Sequence, residues 1–116
     1  MRVVAGSAKG VKLGPVPPGV RPLSDRAREG LFSSLGPSVR GARVLDLFAG
    51  TGATGIEALS RGARDAVFVD AGAGAVRAVR DNLRRTKLAD ARYQRKEKNL
   101  ELQQRIIVDP KNWTTS

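Results

Sequence analysis

The sequence contains neither cysteine nor histidine. Without cysteine there is no disulfide framework, no thiolate nucleophile and no cysteine metal site, and a reducing compartment is the natural fit. Without histidine the usual zinc sites, serine–histidine triads and imidazole acid–base chemistry are excluded too, so no metal is expected. No run approaches the roughly 18 apolar residues of a membrane span. The N-terminal MRVVAGSAKGVKLG has no apolar core of the kind a secretory signal needs. These absences point to a cytoplasmic protein without a membrane partner, whose function rests on carboxylates, lysines, hydroxyls and backbone groups.

What is present is a chain of 116 residues with 41% hydrophobic content and a net charge of +10. That is enough for one small domain. The charge is unevenly spread: residues 1–45 and 77–98 are both strongly basic, whereas 46–76, which hold Asp46, Glu57, Asp65 and Asp70, are net acidic. Basic blocks flanking an acidic centre favour encounter with a polyanion, of which nucleic acid is the commonest. The competing explanation is that the arginines only solvate exposed helix faces.

Residues 2–5 (RVVA) and 11–13 (VKL), joined by GSAKG, predict a hairpin or a pair of extended arms. GPVPPGVRP concentrates proline and makes an extended connector ending at Pro22. Ser24 stands where an N-cap should, and Ala27, Leu31 and Leu35 repeat at helical spacing, predicting a helix over 24–35 that Gly36 and Pro37 stop. The apolar run at 42–49 (ARVLDLFA) predicts a strand buried on both faces of a parallel sheet. A short helix carrying Ile56 and Leu59 follows and ends at Arg61-Gly62. DAVFVD at 65–70 then predicts a second buried strand, completing a βαβ unit. Ala75, Val76, Val79 and Leu83 mark the apolar stripe of a further helix over 74–86. Beyond Ala89 the periodicity fades into an exposed or poorly ordered tail, although IIV at 106–108 could form a strand.

Between the two predicted strands, Gly50, Gly52 and Gly55 match G-x-G-x-x-G, a pattern that lets backbone turn tightly and approach a ligand at a helix N-terminus. Three explanations compete: a purely structural turn, a dinucleotide site and an S-adenosylmethionine site. Asp46 lies toward the end of the first strand, where a carboxylate would repel a pyrophosphate but attract a ligand bearing an ammonium and a sulfonium. It favours S-adenosylmethionine over NAD. Asp70, at the end of the second strand, is placed to accept hydrogen bonds from ribose hydroxyls, a role that both cofactors share, or to cap the turn after it.

With these residues in place, DLFAGTGATGIEALSRGA followed by VFVD resembles the first two cofactor motifs of a class I methyltransferase. Upstream, RVVAGSAKGVKL and RPLSDRAREGLFSSLG resemble the N-terminal arm and first helix of the bacterial family that methylates guanine N2 in small-subunit (16S) ribosomal RNA. The resemblance covers Met1 to about Ala89, departing at Leu23, where a hydroxyl residue is usual, and at residues 71–74. It implies an α/β, Rossmann-like class I methyltransferase fold with an N-terminal β-hairpin arm. It implies a pocket for S-adenosylmethionine made by Asp46, Ala49, Gly50, Thr51 and Gly52, with Asp70 on the ribose and Ala71 beside the adenine. It further implies that Arg21, Asp25 and Arg26 close over the cofactor, and that Arg2, Lys9 and Lys12 contact phosphates of ribosomal RNA or the small ribosomal subunit.

The family accepts the hydrogens of the target amine with an Asp or Asn that precedes two prolines and an aromatic residue. That motif is missing: IIVDPKNW at 106–113 has Lys111 and Asn112 where the second proline and the aromatic belong. No catalytic residue is therefore assigned. The expectation is a truncated fold: arm and connector over 1–23, the front half of the methyltransferase domain over 24–91, and a charged tail over 92–116. A sheet cut this short should leave an open apolar edge. The alternatives are a non-catalytic basic RNA-binding module and, more remotely, an NAD-type dinucleotide-binding protein.

Overall fold

A computed structural model of the chain describes residues 1–47, 49–70, 72–88, 94–96 and 104–108. The chain begins with an arm closed by an antiparallel bridge between Arg2 and Lys12. Within it the Val3 N–H donates to the Val11 carbonyl and the Leu13 N–H to that of Met1. Helix α1 (Asp25–Leu35) starts where Ser24 accepts the N–H of Ala27 at 3.0 Å, and it ends at Gly36, whose φ is 57°. A short 3-10 turn, Gly36–Val39, leads to β1 (Arg43–Leu47). Then come α2 (Ala53–Ser60), β2 (Asp65–Asp70) and α3 (Ala73–Thr86), and finally β3 (Gln94–Lys96) and β4 (Gln104–Val108).

Strands β1 and β2 run parallel, with Asp46 opposite Phe68, and are connected through α2 as the βαβ pattern requires. The core lies on the sheet face that bears Ala66 and Phe68 of β2, where Ile56 and Leu59 of α2 and Val76, Val79 and Leu83 of α3 close over it. Val3 and Leu13 of the arm join the same cluster. The basic and apolar stripes of α3 separate as expected, because its apolar positions recur at helical spacing.

Three expectations are corrected. First, α1 turns inward not the Ala27–Leu31–Leu35 stripe but Arg28 and Phe32. Leu31 and Leu35 are exposed and line an apolar groove with Val39, Val44 and Leu45. Periodicity alone could not find this, because Arg28 is drawn in by a charge on another helix. Second, β1 is not buried on both faces: Leu45 and Leu47 are 60% and 56% exposed. The strand sits at the edge of the sheet, and half-buried Val44 packs against the core cluster whereas neither of these leucines does. Third, the sheet is mixed rather than parallel. Its order is β1-β2-β4-β3, and β4 pairs antiparallel with β2, Phe68 lying opposite Ile106. The strand anticipated at 106–108 is thus present and begins at Gln104.

Candidate cofactor cleft

At the carboxyl ends of β1 and β2 the chain makes the turn to α2. Gly50 and Gly52 both have positive φ, 57° and 79°, a conformation that side chains rarely adopt. A Cβ on Gly52 would also lie 3.0 Å from Val79 Cγ2. Gly55 has a different task. A Cβ there would fall 2.3 Å from Phe68 Cε1, so this glycine lets α2 press against β2. Two of the three glycines therefore shape the turn and the third shapes the packing.

Two carboxylates fasten this turn. Asp70 accepts the N–H of Gly50 at 2.9 Å on one oxygen and that of Gly72 at 2.8 Å on the other. The second bond is the turn cap weighed against a ligand role. The two are compatible, because each carboxylate oxygen keeps a further acceptor site and Asp70 still faces the cleft. Asp46 accepts the N–H of Gly55, in the first turn of α2, at 3.2 Å. Burial pushes the Asp46 carboxyl up to about 6, against the opposing pull of the Gly55 amide and with the negative charge of Asp70 adding to the rise.

The resulting cleft has a volume of about 510 Å³, within the usual ~300–1,000 Å³ of small-molecule sites. One wall carries Asp46, Ala49, Gly50, Thr51 and Asp70; the other is residues 19–23 of the proline-rich connector. Of the residues singled out from sequence, Asp46, Ala49, Gly50, Thr51 and Asp70 are brought together here, and Arg21 joins them from the connector. Gly52 shapes the turn without lining the cleft, and Ala71 lies outside the described residues. Asp25 and Arg26 do not line it. Asp25 instead accepts the backbone N–H of Arg2 at 3.4 Å and pairs with Arg28 at 2.8 Å. Burial works against its charge, but the Arg28 hydrogen bond, the Arg2 amide and the nearby positive charges outweigh it and hold the carboxyl below the ordinary range. Arg26, Arg2, Lys9 and Lys12 are exposed.

The residues that sequence reasoning missed are polar and buried. Arg28 is fully buried and donates to the carbonyls of Leu23 and Arg2. Glu57, also fully buried, faces Arg28 and Arg61 and accepts the amides of Val4 and Ala5 at 2.9 and 3.0 Å. Ser60 receives the Ala8 amide and donates to the Ala5 carbonyl. Asn82 bonds the arm and the glycine turn together. The one available signal was Glu57 itself, a lone charge within the otherwise uncharged helix ATGIEALS; nothing local could name its partners.

The donor set suits a cationic nucleoside cofactor better than a pyrophosphate. Asp46 occupies a first-turn amide of α2, where a dinucleotide fold would present bare N–H groups to phosphate. Its charge and that of Asp70 would repel an anion placed between them. Among the described residues no helix is long and apolar enough to cross a membrane.

Known proteins are similar to this chain in sequence and in fold. A Bacillus subtilis protein named as a candidate rRNA methyltransferase, YlbH, is 46% identical over 89 residues, covering 76% of this chain and 48% of its own length. The ribosomal RNA small subunit methyltransferase D of Escherichia coli K12 is 44% identical over 94 residues, covering 79% of this chain and 47% of its own. Among solved structures, the E. coli protein yhhF, titled a candidate methyltransferase, superposes with a TM-score of 0.68 at 41% identity, over 79% of this chain and 50% of that one. A hypothetical protein of Thermus thermophilus, TTHA0928, gives 0.67 at 44% identity, over 77% and 52%. This chain thus has the α/β fold of these structures over the half of each that it covers, and it spans about half the length of the curated relatives it matches. The profile of the family described as conserved hypothetical protein 95 matches residues 1–111, and the chain belongs to that family.

Proposed function

We propose that this chain is the cofactor-binding half of an S-adenosylmethionine-dependent methyltransferase acting on guanine N2 of small-subunit ribosomal RNA, and that it works in the cytoplasm. The observation that carries the cofactor is the position of Asp46: beside Asp70 in the cleft, and on the amide of Gly55. The substrate is supported by the names of the relatives and by the exposed basic residues of the arm. When bound, the cofactor supplies an electrophilic methyl group on a sulfonium centre. The protein's part is to bind and orient it. Asp70 offers its remaining acceptor sites to the ribose hydroxyls, Ala49 to Thr51 follow the ligand with backbone on a turn that Gly52 shapes, and Asp46 supplies negative charge toward the cationic end.

No residue of this chain is assigned to receive the protons of the target amine, because the Asp/Asn-Pro-Pro-aromatic motif is absent from the sequence. The domain division proposed is an arm and connector over 1–23, the cofactor-binding portion over 24–91 and a tail over 92–116. The chain alone is expected to bind cofactor without methylating RNA. Calorimetry tests the cofactor directly: S-adenosylmethionine gives a measurable heat and NAD gives none. A folded sample that binds NAD and not S-adenosylmethionine overturns the proposal.

A second reading, a non-catalytic RNA-binding module, is favoured by one observation: Lys9 and Lys12 on the arm and Arg77, Arg84 and Lys87 on α3 and its C-cap are all exposed. It requires RNA affinity that falls steeply with salt and is indifferent to added cofactor.

A further inference from the structure

Asn82 lies on the buried face of α3, 1% exposed, among Val76, Val79 and Leu83. Its amide is divided between two segments distant in sequence. Nδ2 donates to the Thr51 carbonyl at 2.9 Å, and Oδ1 accepts the N–H of Gly14 at 2.8 Å. A carbonyl on one side and an N–H on the other leave only one orientation for this amide.

Both partners occupy telling positions. The Thr51 residue lies between Gly50 and Gly52, whose φ values are 57° and 79°. Glycines on either side leave the intervening peptides free to rotate at little steric cost, and the Thr51–Gly52 peptide is held at both its groups: the Gly52 N–H donates to the Ala49 carbonyl at 2.8 Å, and the Thr51 carbonyl accepts from Asn82. Gly14 is the first residue of the connector over 14–22. Just past its other end, the Leu23 carbonyl accepts from Arg28 at 3.3 Å. Between the two, residues 19–23 form the cleft wall facing Asp46 and Asp70. The connector is therefore a strap across the cleft, held at each end by a buried side chain, and one of those side chains also grips the cofactor turn.

We propose that Asn82 is a positioning residue that couples ligand binding at the turn to closure of this strap, an inference that rests on the cleft's being the cofactor site. A ligand that settles the turn strengthens the hold on Gly14, and a docked strap settles the turn. Because such coupling is reciprocal, each event raises the affinity of the other by the same factor.

The test uses the full chain, S-adenosylmethionine and S-adenosylhomocysteine, and amide hydrogen exchange across residues 16–23. In the wild type, either ligand slows exchange over the strap. Asn82→Leu keeps the bulk of the side chain but removes the donor to the Thr51 carbonyl and the acceptor for Gly14. It is expected to bind about ten- to a hundredfold more weakly, the effect of one buried carbonyl left unpaired, and at saturation to lose the ligand-induced slowing. Thr86→Ala controls for stability: its hydroxyl bonds the carbonyls of Asn82 and Leu83 within α3. This variant keeps the slowing. If Asn82→Leu does not unfold cooperatively, Asn82→Ser carries the same expectation. Slowing that survives in the Asn82 variant, or is lost equally in Thr86→Ala, overturns the coupling. A wild type that binds with strap exchange unchanged overturns the coupling alone, whereas one that binds neither ligand overturns the proposed function as well.

Discussion

Arg28 of α1 and Glu57 of α2, both withdrawn from solvent, face each other with Nε and Oε1 3.5 Å apart. Arg28 Nε makes no hydrogen bond, so this contact acts through charge, while the other Glu57 oxygen takes Arg61 at 2.9 Å. The same carboxylate accepts the Val4 and Ala5 amides, so the pair clamps the arm to two helices. Breaking a buried pair leaves an uncompensated charge, which is costlier than the pair is favourable. Glu57→Gln is expected to lower stability by about 3 kcal/mol, the low end for such a loss because Asp25 still faces Arg28. Urea denaturation measures it, and the double variant Arg28→Met/Glu57→Gln should recover part of the loss. A single variant as stable as wild type would show that the pair does not clamp the arm.

Gly55→Ala and Gly30→Ala make opposite predictions for the same chemical change. Both glycines are helical, and alanine improves helix propensity by about 1 kcal/mol. At Gly30 nothing lies within 4 Å of the new methyl, so the variant should be more stable. At Gly55 the methyl would enter the Phe68 ring, and overpacking of about 1–3 kcal/mol should outweigh the propensity gain. Thermal unfolding separates them: Gly30→Ala melts higher and Gly55→Ala lower than the wild type.

Asp46 makes stability and ligand affinity depend on pH in opposite senses. Its carboxyl sits at about 6 in the folded protein against an ordinary value of 3.8. The protonated form is therefore the one that favours folding: this contribution is complete below the unfolded value and is lost as pH rises through about 6. Asp46→Asn, which keeps an acceptor for the Gly55 amide without the charge, should flatten that part of the stability profile. Affinity for the sulfonium cofactor should instead rise between about pH 5 and about pH 7 as the carboxylate forms, and rise less for the neutral thioether product. Equal profiles for the two ligands would show that Asp46 does not sense the sulfonium charge.

The exposed lysines of the arm should announce themselves through salt. If Lys9 and Lys12 meet RNA phosphates, Lys9→Ala and Lys12→Ala each reduce the slope of log affinity against log salt by about 0.7 for a single strand, with little effect on sequence preference. Filter binding across a salt series measures this. An unchanged slope in both variants removes the arm from the RNA contact surface.

Where local signals agree with the environment, the elements were legible. Ser24 caps α1 because a serine side chain satisfies an orphan amide whatever packs nearby. The strand at 65–70 and the stripe of α3 follow from hydrophobic spacing, and Asp46 and Asp70 could be placed at one site because they end two apolar runs on either side of a glycine turn. The inward face of α1 was not legible, since Arg28 is buried only because Glu57 waits for it on a helix that starts much later in the chain. The open edge was anticipated, but not that Leu45 and Leu47 would be exposed on β1.

By itself, then, the sequence determined the βαβ unit, the glycine turn and its carboxylates, because periodicity, caps and positive-φ glycines are local properties of the backbone. Only the tertiary structure decided that Gly55 serves packing rather than the ligand, that the proline connector forms a wall of the cleft, and that Arg28, Glu57 and Asn82 hold arm, helices and turn together. A buried charge or amide is tolerated only when its partners are supplied, and here those partners come from segments far apart along the chain.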